Sequence, residues 1–127
     1  MRLKVAVEPG DLETTGDPER LHQVVTNLLD NAVRHSPPEG RIWLSAHAAT
    51  AGRTTIVVSD EGPGIPPEEA ERVFERFHRT DAARATRDGG TGLGLSIARW
   101  IVYAHGGVIR AETREPRGCR MVVEIPR

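Results

Sequence analysis

The stretch "GGTGLGLSIARW", residues 89–100, joins a glycine-rich loop directly to an apolar run. Leu95, Ala98 and Ile101 recur at the spacing of one helix face, and Gly106 marks the point where that helix should end. The free N–H groups and the dipole at the start of such a helix favour an anion. The stretch therefore predicts either a phosphate-binding loop or an ordinary loop ahead of a packed helix.

The familiar phosphate loops do not fit this stretch. A Walker loop requires a lysine directly after its last glycine, but Lys4, near the N-terminus, is the one lysine among 17 basic residues. The dinucleotide fingerprint G-x-G-x-x-G fails because Gly90, Gly92 and Gly94 alternate as G-x-G-x-G. No glycine loop precedes Lys4, so the protein-kinase pattern is absent too. A phosphate site here would be of another kind.

Length and composition indicate one small domain. A chain of 127 residues suffices for a single core, and a net charge of -1 gives no reason to expect nucleic acid as a partner. No apolar run approaches the ~20 residues of a membrane helix and no signal peptide opens the chain, so we expect a cytoplasmic domain without direct membrane contact. Cys119 is the one cysteine, which we expect to be a small buried residue on the last strand.

The periodicities predict an α+β fold in which helices cover one face of a mixed sheet, a two-layer sandwich. A helix should begin after Asp17 and end near His35, before two prolines. A polar, arginine-rich segment follows residue 77 and suits a mobile loop. In chain order, we predict a strand at 3–7, a helix at 18–35, strands at 41–48 and 54–60, a short helix at 66–77, a helix at 95–105, and a hairpin of strands 108–113 and 121–125.

The first helix carries a polar stripe beside its apolar face. Asn27, Asn31 and Arg34 lie at i, i+4 and i+7, with His35 next to them. Asparagine is a mediocre helix former, so two in one stripe call for an explanation. They could be an amide pair that hydrogen-bonds to neighbouring backbone. Alternatively, their amide oxygens could ligate Mg²⁺ whose other ligands are phosphates and water.

A second candidate site lies in "VVSDEGPGIP", residues 57–66. A β-branched run ends in Asp60, and Gly62 and Gly64 follow it. This could be a plain turn. It could also place a carboxylate at a strand end, where it accepts a hydrogen bond from the exocyclic amine of adenine while the glycines allow the backbone to approach the base.

Taken together, these motifs resemble the catalytic ATP-binding domain of bacterial sensor histidine kinases, within the gyrase, heat-shock, histidine-kinase and mismatch-repair ATPase superfamily. "NLLDNAVRHSP" is similar to the N box of that family and "DEGPGIP" to its first glycine box. "ERVFERFHR" is similar to the F box and "GGTGLGLSIAR" to the second glycine box. The resemblance runs from "GDPERL" to "VVEIP", nearly the whole chain.

The resemblance implies a Bergerat-type sandwich with ATP and Mg²⁺ between the N-box helix and a flexible lid at about 78–91. It implies that Asn31 ligates Mg²⁺ with help from Asn27, directly or through water. Asn31, Arg34 and Arg79 would be the catalytic residues, the two arginines by neutralising phosphate charge, and Asp60 would select adenine. The full set implied at the nucleotide is Asn27, Asn31, Arg34, His35, Asp60, Gly62, Gly64, Ile65, Phe77, Arg79, Gly90, Thr91, Gly92, Leu93, Gly94 and Leu95.

Three positions depart from the family pattern. Hydrolytic and serine-phosphorylating members resemble one another in carrying a glutamate base where this chain has Asn27; an amide cannot take a proton, which favours phosphorylation of histidine. His35 stands where the family often has a tyrosine. Gly118-Cys119-Arg120-Met121 replaces Gly-Thr-x-Phe, a position that we expect to lie away from the nucleotide.

No histidine of this chain has the sequence context of the family's phosphoacceptor. We therefore expect an excised or split domain, monomeric by itself, whose partners are the dimerisation helices of a parent kinase and, indirectly, a response regulator. That parent would be anchored in a bacterial inner membrane. The alternative is a stand-alone nucleotide-binding regulator, or an anti-sigma-type serine kinase or ATPase of the same superfamily.

Overall fold

The computed structural model describes residues 2–8, 10, 12–14, 16–49, 52–75 and 93–126. Among these residues no helix is long and apolar enough to cross a membrane. The elements, in chain order, are β1 (Arg2–Glu8), α1 (Pro18–His35), β2 (Arg41–Ala48), β3 (Arg53–Asp60), two 3-10 turns (Pro67–Glu69 and Arg72–Phe74), α2 (Gly94–Ala104), β4 (Val108–Thr113) and β5 (Cys119–Pro126).

The five strands form one mixed sheet in the order β1-β2-β3-β5-β4. Strands β1 and β2 are parallel, and the other neighbours are antiparallel. The side chains of Ile42, Val58 and Met121 project from the same face of the sheet and lie in one core cluster with residues of both helices. The predicted two-layer α+β sandwich is confirmed.

Helix α1 begins and ends where the sequence predicts. The side chain of Asp17 accepts hydrogen bonds from the N–H groups of Glu19 and Arg20, the N-cap arrangement. The apolar stripe of Val24, Leu28 and Ala32 is almost completely buried, and the helix ends at His35 before the two prolines. Burial of this stripe leaves the adjoining polar stripe at the edge of the core.

Helix α2 runs antiparallel to α1. His105, at the end of α2, accepts a hydrogen bond at Nε2 from the N–H of Asp17, with 3.1 Å between the two nitrogens. Its Nδ1 lies 2.8 Å from the carbonyl oxygen of Ile101. Because the end of α2 meets the start of α1, the start of α2 lies beside the middle of α1. This pairing brings the glycine-rich approach to α2 next to the polar stripe.

The predicted helix at 66–77 is wrong over its described part. Residues 67–74 form two separate 3-10 turns, in which only Val73 and Phe74 are buried. The remaining side chains are mostly charged, so there is no apolar stripe long enough to stabilise several α-helical turns by packing.

Candidate functional site

The candidate site lies where α1, the turn after β3 and the start of α2 meet. The Nδ2 of Asn27 donates a hydrogen bond to the carbonyl oxygen of Gly94, with 3.0 Å between the two atoms. A Cβ at Gly94 would lie 3.9 Å from the Asn27 side chain, so the two helices are in close contact at this point. The amide of Asn27 thus has the simpler of the two roles that the sequence suggests for the polar stripe, a hydrogen bond to neighbouring backbone.

Asp60 is the buried carboxylate of this region, with an exposed fraction of 3%. Its Oδ1 accepts a hydrogen bond of 2.8 Å from the N–H of Gly62. Burial raises the pKa of Asp60 above its ordinary value; hydrogen bonds from backbone N–H groups and the nearby charges of His35 and Arg114 oppose that rise. The turn therefore fixes the direction of the carboxylate through the bond from Gly62 to its Oδ1.

The turn after Asp60 abuts the end of α1. A Cβ on Gly62 would overlap the carbonyl oxygen of His35 and lie 2.9 Å from the Oδ1 of Asp60. Gly64 has a φ of +84°, which side-chain-bearing residues rarely adopt. These two glycines of the motif are thus needed for the local geometry, whether or not a base lies against them.

His35 occupies the end of the polar stripe, half-buried and close enough to Asp60 for their charges to interact. Burial is the largest effect on the pKa of His35 and lowers it. The charge of Asp60 raises this pKa, and the charge of Arg34 lowers it. Arg34 itself is exposed, and Asn31 is half-buried one turn beyond Asn27. The stripe thus runs from the contact with α2 to the neighbourhood of Asp60.

The expectation that Gly118 and Cys119 lie away from this region is wrong. Cys119 pairs with Asp60 across strands β3 and β5, and its backbone N–H contributes a hydrogen bond to the Asp60 carboxyl. A Cβ on Gly118 would overlap the carbonyl oxygen of Asp60, and Gly118 has a φ of +112°. Burial raises the pKa of the Cys119 thiol to about 12, so a neutral side chain stands beside Asp60.

The remaining predicted residues divide between described and undescribed parts of the chain. Ile65 and Leu95 pack against the core from partly buried positions. Leu93 is the N-cap residue of α2, and an aliphatic side chain cannot cap the first N–H groups of that helix. Phe77, Arg79, Gly90, Thr91, Gly92 and the whole predicted lid at 78–91 lie outside the described residues.

The donor set of the site suits magnesium bound largely by phosphate. Across the part of the chain that the structure describes, no three His, Cys, Asp or Glu side chains form a metal cluster. Because the Nδ2 of Asn27 donates to Gly94, its Oδ1 is the atom left to act as a ligand. Neutral amide oxygens fit a Mg²⁺ ion whose other ligands are phosphates and water.

Comparison with protein families identifies one that matches most of the chain. Residues 16–127 match the family described as histidine kinase-, DNA gyrase B-, and HSP90-like ATPase. The signal transduction histidine-protein kinase/phosphatase MprB of Mycolicibacterium smegmatis is 52% identical over 103 residues, 81% of this chain and 20% of that protein. The protein of the same name from Mycolicibacterium vanbaalenii is 45% identical over 93% of this chain and 24% of its own length. The chain thus spans a fifth to a quarter of these relatives.

Solved structures agree with the family match. A mycobacterial sensor histidine kinase MprB superposes with a TM-score of 0.88 at 38% identity, over 98% of this chain and 82% of that one. Full-length ShkA in complex with AMPPNP superposes with a TM-score of 0.84 at 32% identity, over 98% of this chain and 25% of that one. This chain belongs to the histidine kinase-, DNA gyrase B- and HSP90-like ATPase family, as a catalytic ATP-binding domain of the histidine-kinase type.

Proposed function

We propose that residues 1–127 form a single domain that binds Mg²⁺·ATP and transfers its γ-phosphoryl group to a histidine on the dimerisation helices of a parent kinase. The observation that carries the proposal is the placement of the amide stripe of α1 between two other elements, the buried Asp60 turn and the start of α2. Each offers the chemistry that one part of ATP requires.

Asp60 recognises the adenine base. A buried carboxylate that accepts from the backbone N–H groups of Gly62 and Cys119 still has lone pairs with which to accept from the exocyclic amine. Guanine carries a carbonyl oxygen at the corresponding position, which would meet the carboxylate with repulsion. Gly62, Gly64 and Ile65 would line the same end of the nucleotide.

The other end of the stripe serves the phosphates. Asn31, with the Oδ1 of Asn27, would hold Mg²⁺, which neutralises phosphate charge when bound. Arg34 would add a positive charge between this metal site and the Asp60 end of the stripe, where His35 lies. The first N–H groups of α2, at Gly94 and Leu95, are suited to an anion because the helix dipole is positive at that end. From beyond the described residues, Phe77, Arg79, Gly90, Thr91 and Gly92 would complete the site.

Histidine, rather than water, is the acceptor that this chemistry favours. Asn27 stands where a hydrolytic enzyme needs a general base, and an amide cannot take a proton. A histidine is already nucleophilic when neutral, because its ring nitrogen can bond to phosphorus without first losing a proton, and its base can come from elsewhere. That nitrogen bonds to the γ-phosphorus as the bond from phosphorus to the β,γ-bridging oxygen breaks, and ADP leaves. Positioning and charge neutralisation supply most of the catalysis in such a transfer.

The wider context belongs to the same proposal, because the relatives are about four times as long as this chain. Their names describe histidine-protein kinases and phosphatases. By analogy, the parent of this domain would be a sensor anchored in the bacterial inner membrane, with this domain in the cytoplasm and monomeric by itself. A response regulator would receive the phosphoryl group from the acceptor histidine.

Nucleotide selectivity tests the proposal. We expect isothermal titration calorimetry to show ADP binding at least tenfold more tightly than GDP, since the base-reading carboxylate is charged and buried. Equal affinities for the two nucleotides would contradict the assignment of Asp60 to adenine.

The affinity for ADP should also depend on pH. The ionised carboxylate of Asp60 is a stronger acceptor for the adenine amine than the protonated carboxyl is, and burial raises its pKa. Acidification through that raised pKa should therefore weaken ADP binding at a higher pH than an ordinary carboxyl would. Titrations in matched ionic strength between pH 7 and pH 4 measure this. An affinity that stays constant over the whole interval would contradict the expectation.

A further inference from the structure

The tip of the β4–β5 hairpin, residues 114–118, is joined directly to the Asp60 turn. The Nε of Arg117 donates a hydrogen bond to the carbonyl oxygen of Gly62, with 3.1 Å between the two atoms. The N–H of Gly62 in turn donates to the Oδ1 of Asp60. The guanidinium of Arg117 thus contacts Gly62, the residue that orients the carboxylate of Asp60. Arg117 itself is largely exposed.

A second arginine holds the hairpin tip in place. The Nη1 of Arg114 donates to the carbonyl oxygen of Arg117 at 2.9 Å, and the backbone N–H of Arg114 donates to the carbonyl of Gly118 at 3.0 Å. The guanidinium carbon of Arg114 lies 4.3 Å from the ring centroid of Trp43, a cation–π distance. Trp43 lies on β2, so the hairpin tip is anchored to the strand beside β3.

The backbone of the hairpin also touches the turn. A Cβ on Gly64 would lie 3.1 Å from the carbonyl oxygen of Gly118, and Gly118 approaches the carbonyl of Asp60 too closely for any side chain. The contacts form a continuous path from Trp43 through Arg114 and Arg117 to Gly62. We call these three side chains, Trp43, Arg114 and Arg117, the hairpin brace.

We propose that the hairpin brace positions the Asp60 carboxylate for adenine recognition, with Arg117 as its contact to the turn. This inference rests on the proposed role of Asp60. The carbonyl of Gly62 belongs to the same residue whose N–H orients the carboxylate, so a bond to that carbonyl limits rotation of the turn. Arg117 and Arg114 are positioning residues, because neither is placed at the nucleotide.

The decisive variant is Arg117→Ala, measured by calorimetric titration with ADP. We expect its dissociation constant to rise about three- to tenfold, less than in Asp60→Ala, because Arg117 affects binding only through the position of the turn. Arg117→Lys retains a donor that can reach the Gly62 carbonyl and should restore most of the affinity. In a reconstituted transfer reaction, Arg117→Ala should raise KM for ATP and leave kcat within about twofold, because the phosphates are bound elsewhere.

Arg110→Ala is the matched control. Arg110 lies on the same hairpin and forms ion pairs with Glu112 and Glu124, away from the turn. Its loss should affect thermal stability about as much as the loss of Arg117 while leaving the ADP affinity unchanged.

The outcomes separate this proposal from the one on which it rests. If Asp60→Ala weakens ADP binding but Arg117→Ala does not, the brace does not position the carboxylate and the inference is wrong. If neither variant changes the affinity, the assignment of Asp60 to adenine is itself wrong. If Arg110→Ala weakens binding as much as Arg117→Ala, the effect is general to the hairpin and the brace is again contradicted.

Discussion

Replacing Asp60 by alanine is expected to weaken ADP binding about ten- to a hundredfold, since a hydrogen bond to a charged group contributes about 1.5–3 kcal/mol. The expected loss is large because the carboxylate is buried and already oriented by Gly62. Calorimetric titration of both proteins with ADP measures the difference. An unchanged affinity in Asp60→Ala would show that the base is read elsewhere.

The matched control for this variant is Asp60→Asn, whose Tm is measured without nucleotide. The raised pKa of Asp60 means that the folded state prefers the protonated carboxyl. The stability that this preference contributes is present at acidic pH and is lost as the pH rises through the raised pKa. At neutral pH the ionised group therefore costs stability, and Asp60→Asn should keep or raise the Tm of the free protein while still weakening ADP binding. A large fall in Tm would indicate a structural role instead.

Replacing Asn31 by alanine should abolish the strengthening of ATP binding by Mg²⁺. Asn31 lies one turn beyond Asn27 on α1 and is only half-buried, so the substitution removes a potential ligand without opening the core. The measurement is calorimetry with ATP in the presence of Mg²⁺ and in the presence of a chelator. We expect the two affinities, which differ in the wild type, to become nearly equal in Asn31→Ala.

Asn27→Ala serves as the comparison for Asn31→Ala. Asn27 joins α1 to the start of α2 through its bond to Gly94, so its loss should weaken ATP binding both with and without Mg²⁺. If Asn31→Ala retains the full effect of Mg²⁺, Asn31 is not the metal ligand. If Asn27→Ala behaves as expected for Asn31→Ala, the two asparagines have exchanged the roles proposed for them.

The sequence predicts those features of the fold that depend on local chemistry. The N-cap at Asp17, the apolar stripe of α1 and the two prolines after Ser36 determine the helix bounds, and the observed helix agrees. The hairpin across residues 114–118 follows from its turn residues and alternating strands. The segment at 66–77 is different, because most of its described residues are charged and offer little apolar surface to bury. Such residues do not form an α-helix without packing against the rest of the protein.

The neighbourhood of Asp60 could be predicted only in part, because it depends on strand order. Asp60, Gly62 and Gly64 are adjacent in sequence and form a recognisable motif. Cys119 reaches Asp60 only through the pairing of β3 with β5, and Arg117 reaches Gly62 only through the hairpin that follows from it. Asp60 and Cys119 are 59 residues apart in the chain, and nothing local in the sequence indicates that their strands are neighbours. The sequence therefore does not predict these contacts.

We expect this chain to phosphorylate histidine on a separate helix, without labelling itself and without rapid hydrolysis of ATP. The direct measurement uses γ-labelled ATP with Mg²⁺ in three samples: this chain, the dimerisation helices of its parent kinase, and the two together. The account predicts acid-labile label on the helices in the mixture alone, with slow phosphate release throughout. Rapid phosphate release by this chain alone, acid-stable label on serine, or an unlabelled mixture would contradict it.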